Sequence, residues 1–126
     1  MRLLDANYLL RFIMHDNLEM AIEVRTAILS GTVHVQDAVL EEVVHVLKRV
    51  YKIDRTVIAD AILKFTELEN VETENQTVIE TCMQYYSETS LDFVDCLLAA
   101  YHLHEGHEIL TFDKKLKKLI ARQDES

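Results

Sequence analysis

Apolar and polar positions along this chain follow two periods. In NLEMAIEVRTAIL (17–29), DAVLEEVVHVLKRVY (37–51), DRTVIADAILKFTEL (54–68) and NQTVIETCMQYYSE (75–88), apolar residues return every three or four positions. That spacing predicts amphipathic helices. Residues 92–105 are apolar nearly all round and predict a deeply buried helix, while KKLKKLIAR (114–122) predicts a basic helix with one apolar stripe. Shorter runs read as strands: MRLLD at the start, VHV (33–35) and EIL (108–110), with NVETE (70–74) a weaker signal. The only glycines, Gly31 and Gly106, each follow a helix-like run and precede a strand-like one. A helix stop with positive φ is useful at such places.

Short strands separated by helices predict an α/β fold with a small, mostly parallel sheet and helices on its faces. The 126 residues show neither linker nor repeat and are expected to form a single domain, 1–126. The opening MRLLDANYLLRFIMHDN is broken by Asp5, Asn7 and Arg11, so a signal peptide is not expected. No apolar run approaches the roughly 20 residues that cross a bilayer. Cys82 and Cys96 have no metal-type spacing, and a cytoplasmic protein with reduced thiols is the expectation. A formal charge of −9 argues against a general nucleic-acid binder. It leaves room for a nuclease, because acids around a metal count as negative in the sum but are neutralised in use.

In parallel α/β sheets, sites form beyond the carboxyl ends of the strands. Two expected strands end in an acid there, Asp5 after RLL and Asp113 after EILTF. Each reads equally as the N-cap of a following helix. Glu42 falls beside the apolar stripe of Val39, Val43, Val46 and Leu47, where a solvated edge position is the plain alternative. In LDFVDCLLAA (91–100), Asp92 and Asp95 stand three apart in an apolar run. Asp92 suits an N-cap and Asp95 the acid of a capping box, yet that acid is most often the longer glutamate. Taken together, such acids repel one another unless a cation neutralises them, and oxygen-rich sites suit Mg2+ or Mn2+. A bound ion of that kind activates water for phosphodiester hydrolysis.

At these residues the chain resembles the PIN-domain nucleases, and among them the small VapC-type toxins. The likeness runs in order through LLDANYLLRFI (3–13), LEEVVHVLKRVY (40–51), LDFVDCLLAAYHLHEG (91–106) and ILTFDKKLKKL (109–119). It implies a three-layer α/β/α sandwich and Mg2+- or Mn2+-dependent cleavage of single-stranded RNA. It maps the family's acids onto Asp5, Glu42, Asp95 and Asp113, and its small polar residues, which orient a ligand, water or phosphate, onto Asn7 and Thr111. It further implies a toxin paired with an antitoxin protein, commonly as a homodimer. Four positions depart from the pattern: Cys96 replaces an alanine, His45 an aromatic, and Lys115 with Leu116 an acid and an aromatic. The last departure leaves Asp113 as the single acid of its corner.

The remaining polar features weigh less. HLHEGHE (102–108) carries three histidines but straddles Gly106, so their side chains are expected to diverge as ordinary surface groups. Lys114 and its neighbours in KKLKK either contact RNA phosphates or form a solvated face, and Arg11 is a weaker phosphate candidate. Tyr85 and Tyr86 suit base stacking or, more plainly, packing. A catalytically silent PIN-like interaction module is the rival function. A phosphorylated receiver-like domain fits badly, since Asp5 is followed by Ala6 and Asn7 instead of a second acid.

Overall fold

The computed structural model describes residues 1–126. In chain order the elements are α1 (Ala6–Met14), α2 (Leu18–Leu29), β1 (Val33–Val35), α3 (Asp37–Arg49), α4 (Arg55–Thr66), β2 (Val71–Thr73), α5 (Gln76–Glu88), α6 (Phe93–Glu105) and α7 (Lys114–Asp124). The chain is therefore mostly helical with a small parallel sheet, the expected α/β class. No helix is long and apolar enough to cross a membrane. The backbone divides into two compact units, Met1–Glu74 and Asn75–Ser126.

In the first unit, β1 and β2 run parallel in the register Val33↔Val71, His34↔Glu72 and Val35↔Thr73. Parallel strands need a long crossover, and α3 and α4 supply it. The opening segment adds to the sheet without becoming a strand. It makes one parallel bridge, Leu3↔His34, in which the Leu4 amide donates to the His34 carbonyl at 3.1 Å and the His34 amide to the Arg2 carbonyl at 2.8 Å. Asp5 then turns the chain into α1, which cuts the expected MRLLD strand short. Leu9, Leu10, Ala21, Val24, Ile28, Val33 and Val35 are buried with the stripe Leu40, Val43, Val44 and Leu47 of α3. That stripe lies roughly a fifth of a turn from the expected one, since Val39 and Val46 are only half-buried.

The stop of α2 differs from expectation. Gly106 is the glycine with positive φ, and Gly31 is not. Donors from elsewhere satisfy the last carbonyls of α2 instead. The Arg2 guanidinium donates to Ala27 O at 2.7 Å, and Asn70 Nδ2 donates to Ile28 O at 2.6 Å and Gly31 O at 2.9 Å. A cation at a helix C-terminus also suits the dipole.

In the second unit, Asn75, Asp92 and Asp113 cap α5, α6 and α7, and Gly106 ends α6 in the left-handed region at φ 72°. The core joins Val78, Ile79, Cys82, Met83 and Tyr86 of α5 to Phe93, Cys96, Ala99 and Ala100 of α6, with Leu116 and Leu119 of α7. Here α6 departs from the expected all-round burial, for Val94 is 39% and Leu103 46% exposed. The EIL strand expected at 108–110 does not form. A strand needs a ladder partner, every regular element of this unit is a helix, and Leu110 and Phe112 stand 87% and 99% exposed.

Candidate functional site

Asp5 leaves the sheet in an extended conformation (φ −92°, ψ 169°) and caps α1, its Oδ1 accepting from the Tyr8 amide at 2.8 Å. It borders a cavity of about 290 Å³ that Arg2, Leu3, Leu4, Tyr8 and Val33 also line. Asn7 is exposed in the first turn of α1. Glu42 is exposed on α3, beside the half-buried Val39 and Val46. The two helices that carry Asp5 and Glu42, α1 and α3, pack against each other within the first unit. Arg11 is already engaged. Its Nη1 donates to both carboxylate oxygens of Asp16 at 2.7 Å, and that bond is the main reason its guanidinium is held above its ordinary range.

The second unit separates the two aspartates of LDFVDCLLAA. Asp92 is the N-cap of α6 and accepts from the Asp95 amide at 2.9 Å. The reciprocal bond of a capping box, from the Asp92 amide to the Asp95 side chain, is not formed. Asp95 sits half-buried in the first turn. Its carboxyl is pushed above the ordinary carboxylate range, first by burial and then by the negative charges of Asp92 and Asp113. Asp113 reaches this neighbourhood as the N-cap of α7, accepting from the Leu116 amide at 2.9 Å, while Thr111 Oγ1 accepts from the Asp113 amide at 3.0 Å. Lys114 is exposed in the first turn of α7, and Lys115 Nζ donates to Ser90 Oγ at 3.0 Å.

The structure thus brings Asp95 under the charge of Asp92 and Asp113, with Thr111 fixing the backbone at Asp113. No group of three or more His, Cys, Asp or Glu side chains is gathered tightly enough to hold an ion as it stands. The donor types are nonetheless those a hard cation prefers: carboxylate oxygens with a neighbouring hydroxyl. The self-repulsion at Asp95 is what a divalent charge would relieve.

The histidines of HLHEGHE do diverge, and each has its own partner. His102 bonds Asp124 at 2.7 Å through Nε2 and the His107 carbonyl at 2.8 Å through Nδ1, His104 bonds Thr81 at 2.6 Å, and His107 bonds Glu105 at 3.1 Å. Tyr86 is core, and Tyr85 accepts at its hydroxyl from Gln123 Nε2 at 2.6 Å. Two acids at the carboxyl end of the parallel sheet escaped sequence reasoning. Asp37 follows β1 and Glu74 follows β2, and Glu74 Oε2 accepts from the Asp37 amide at 2.6 Å. An acid within two residues of the end of each strand, in VQD and VETE, is the available signal.

Neither the curated proteins nor the solved structures offer a match to this chain. The profile of the PIN domain does match, over residues 2–121, and runs through both compact units. PIN domains are generally nucleases, so a hydrolase acting on nucleic acid accords with acids set at helix N-termini and a strand end. On the strength of that match, which runs from Arg2 to Ala121, the chain belongs to the PIN domain family.

Proposed function

We propose that the chain is a Mg2+- or Mn2+-dependent endoribonuclease of single-stranded RNA, with Asp5, Glu42, Asp95 and Asp113 as the carboxylates that hold the ion or ions. The observation that carries this reading is the acid group at the start of α6 and α7, where Asp95 shares its surroundings with Asp92 and Asp113. When bound, a divalent ion at these residues supplies Lewis-acid activation of water and of the scissile phosphate. The protein's own part is orientation. One oxygen each of Asp5 and Asp113 is pinned by a capping amide, which sets the plane of the carboxylate and leaves the second oxygen for a cation. Thr111, Asn7 and Lys114 serve to position phosphate or water. Arg11 joins them only by exchanging Asp16 for a phosphate.

The family match across 2–121 supports treating 1–126 as one functional domain. The biological role we propose is a cytoplasmic VapC-type toxin, acting as a homodimer and restrained by a cognate antitoxin protein. A catalytically silent interaction module is the second reading, favoured by Lys115 beside Asp113, where the family pattern has another acid.

The deciding measurement is Mn2+-dependent cleavage of single-stranded RNA by the wild type and by Asp95→Asn. Cleavage should vanish in the variant while its far-UV circular dichroism stays unchanged. Full activity in Asp95→Asn would sink the assignment. A wild type that binds RNA but leaves it intact with either ion points to the silent module.

A further inference from the structure

A groove runs along α7 in the second unit, and none of the roles above uses it. Lys115, Lys118, Leu119 and Arg122 form one wall, and the 88–91 connection between α5 and α6 forms the other, around a cavity of about 270 Å³. A second depression of about 360 Å³ shares Glu88, Thr89, Leu119 and Arg122 with it and continues towards Tyr85. Positions 115, 118 and 122 follow the three- and four-residue spacing that keeps side chains on one helix face. At about 1.5 Å of rise per residue they spread over roughly 10 Å.

The charge in this groove is unusual for the molecule. The chain carries −9 overall, yet five of its 13 Lys and Arg side chains, at 114, 115, 117, 118 and 122, lie within α7. Lys115, Lys118 and Arg122 are all exposed, and none joins an ion pair. The one acid in the wall, Glu88, accepts from Gln84 Nε2 at 3.3 Å. Thr89, Ser90 and Leu91 also line it, and the Lys115–Ser90 bond of 3.0 Å joins the two walls at one end. That end adjoins the acid group, because Ser90 lies two residues before Asp92 and Lys115 two after Asp113.

We infer that this groove is the track for the single-stranded RNA backbone flanking the scissile phosphate, with Lys115, Lys118 and Arg122 each paired to a phosphate. Cations and hydroxyls along a groove suit contacts to phosphate and sugar, which position a strand without reading its bases. A polyanion repelled by the rest of an acidic surface is drawn to the one helix that concentrates positive charge. The inference rests on the nuclease reading for its orientation, since the acid group defines where cutting takes place.

The test uses the full chain and a fluorescein-labelled single-stranded oligoribonucleotide of roughly a dozen nucleotides, within the usual range of site sizes. Binding is followed by anisotropy in EDTA across a salt series, and cleavage is followed in Mn2+. Removing both charges in Lys118→Gln/Arg122→Gln should weaken binding severalfold. It should also flatten the slope of log K against log salt by about 1.4, or about 0.7 for each phosphate that no longer pairs with a cation. KM for the long substrate should rise with kcat retained, and Arg122→Lys should restore one pairing. A variant with the wild-type slope and KM overturns the groove while leaving the nuclease reading intact. A wild type that binds with the expected slope but never cleaves overturns the nuclease reading and keeps the groove. A wild type that neither binds nor cleaves removes both. If a labelled polyglutamate peptide binds in a Lys118- and Arg122-dependent way and RNA does not, the surface belongs to a protein partner and the inference fails.

Discussion

Asp92 and Asp95 are the same residue three positions apart, and their surroundings give them opposite energetic roles. Asp92 accepts an amide that would otherwise be an orphan of the first turn, so it stabilises α6. Asp95 gains no such bond and carries burial and two like charges instead. A carboxyl whose folded-state pKa is raised binds its proton more readily in the folded than in the unfolded chain, so its ionisation costs stability as pH rises. In EDTA, urea denaturation should therefore show Asp95→Asn at least as stable as wild type near neutrality. The difference should open as pH climbs from the ordinary value of 3.8 through the raised one. The gain is a fraction of a kilocalorie per mole, because the side chain is only half-buried and water screens it. Asp92→Asn should cost about 1 kcal/mol or less, asparagine being a good cap itself. The reverse order of stabilities would exchange the two roles.

Among the elements, the helix ends separate what is local from what is not. Gly106 closes α6 at φ 72°, a conformation that costs a residue with a Cβ roughly 1–2 kcal/mol. Gly106→Ala should lower stability by about that amount in chemical denaturation. Gly31→Ala should be close to neutral, since its backbone has no positive φ and a Cβ there would meet only the tip of Arg2, at 3.4 Å. Equal losses at both glycines would contradict the two different ways in which α2 and α6 stop. The segment 108–112 teaches the same lesson for strands. EILTF has the composition of a strand, but hydrogen bonds to a neighbouring strand, not composition, make one.

On the scale of the whole molecule, the proposed metal site would couple the acids to stability. An ion that binds only the folded protein raises its stability by mass action, about 2.7 kcal/mol at a hundredfold excess over Kd. Thermal denaturation of the wild type should accordingly shift upward when EDTA is replaced by Mn2+, and Asp95→Asn should lose most of that shift. An unchanged melting temperature at millimolar Mn2+ would count against Asp95 as a ligand. The family match passes through both compact units.

Much of this was legible in the residues themselves. Helix positions came within two residues at most ends, and Asp5, Asp92 and Asp113 do cap helices, because a cap bond closes within three residues and needs nothing distant. The order of the four acid-bearing blocks was likewise enough to point to the family. Tertiary structure decided the rest. It chose which face of α6 is buried, set Arg2 and Asn70 on the end of α2, tied Arg11 to Asp16, and denied 108–112 a strand partner. It also brought the charge of Asp113 to bear on Asp95. Apart from the Arg11 turn, each of these depends on a partner many positions away or on the packing around it. Periodicity along the chain says which residues want burial or a bond, and only the folded backbone says from where the partner comes.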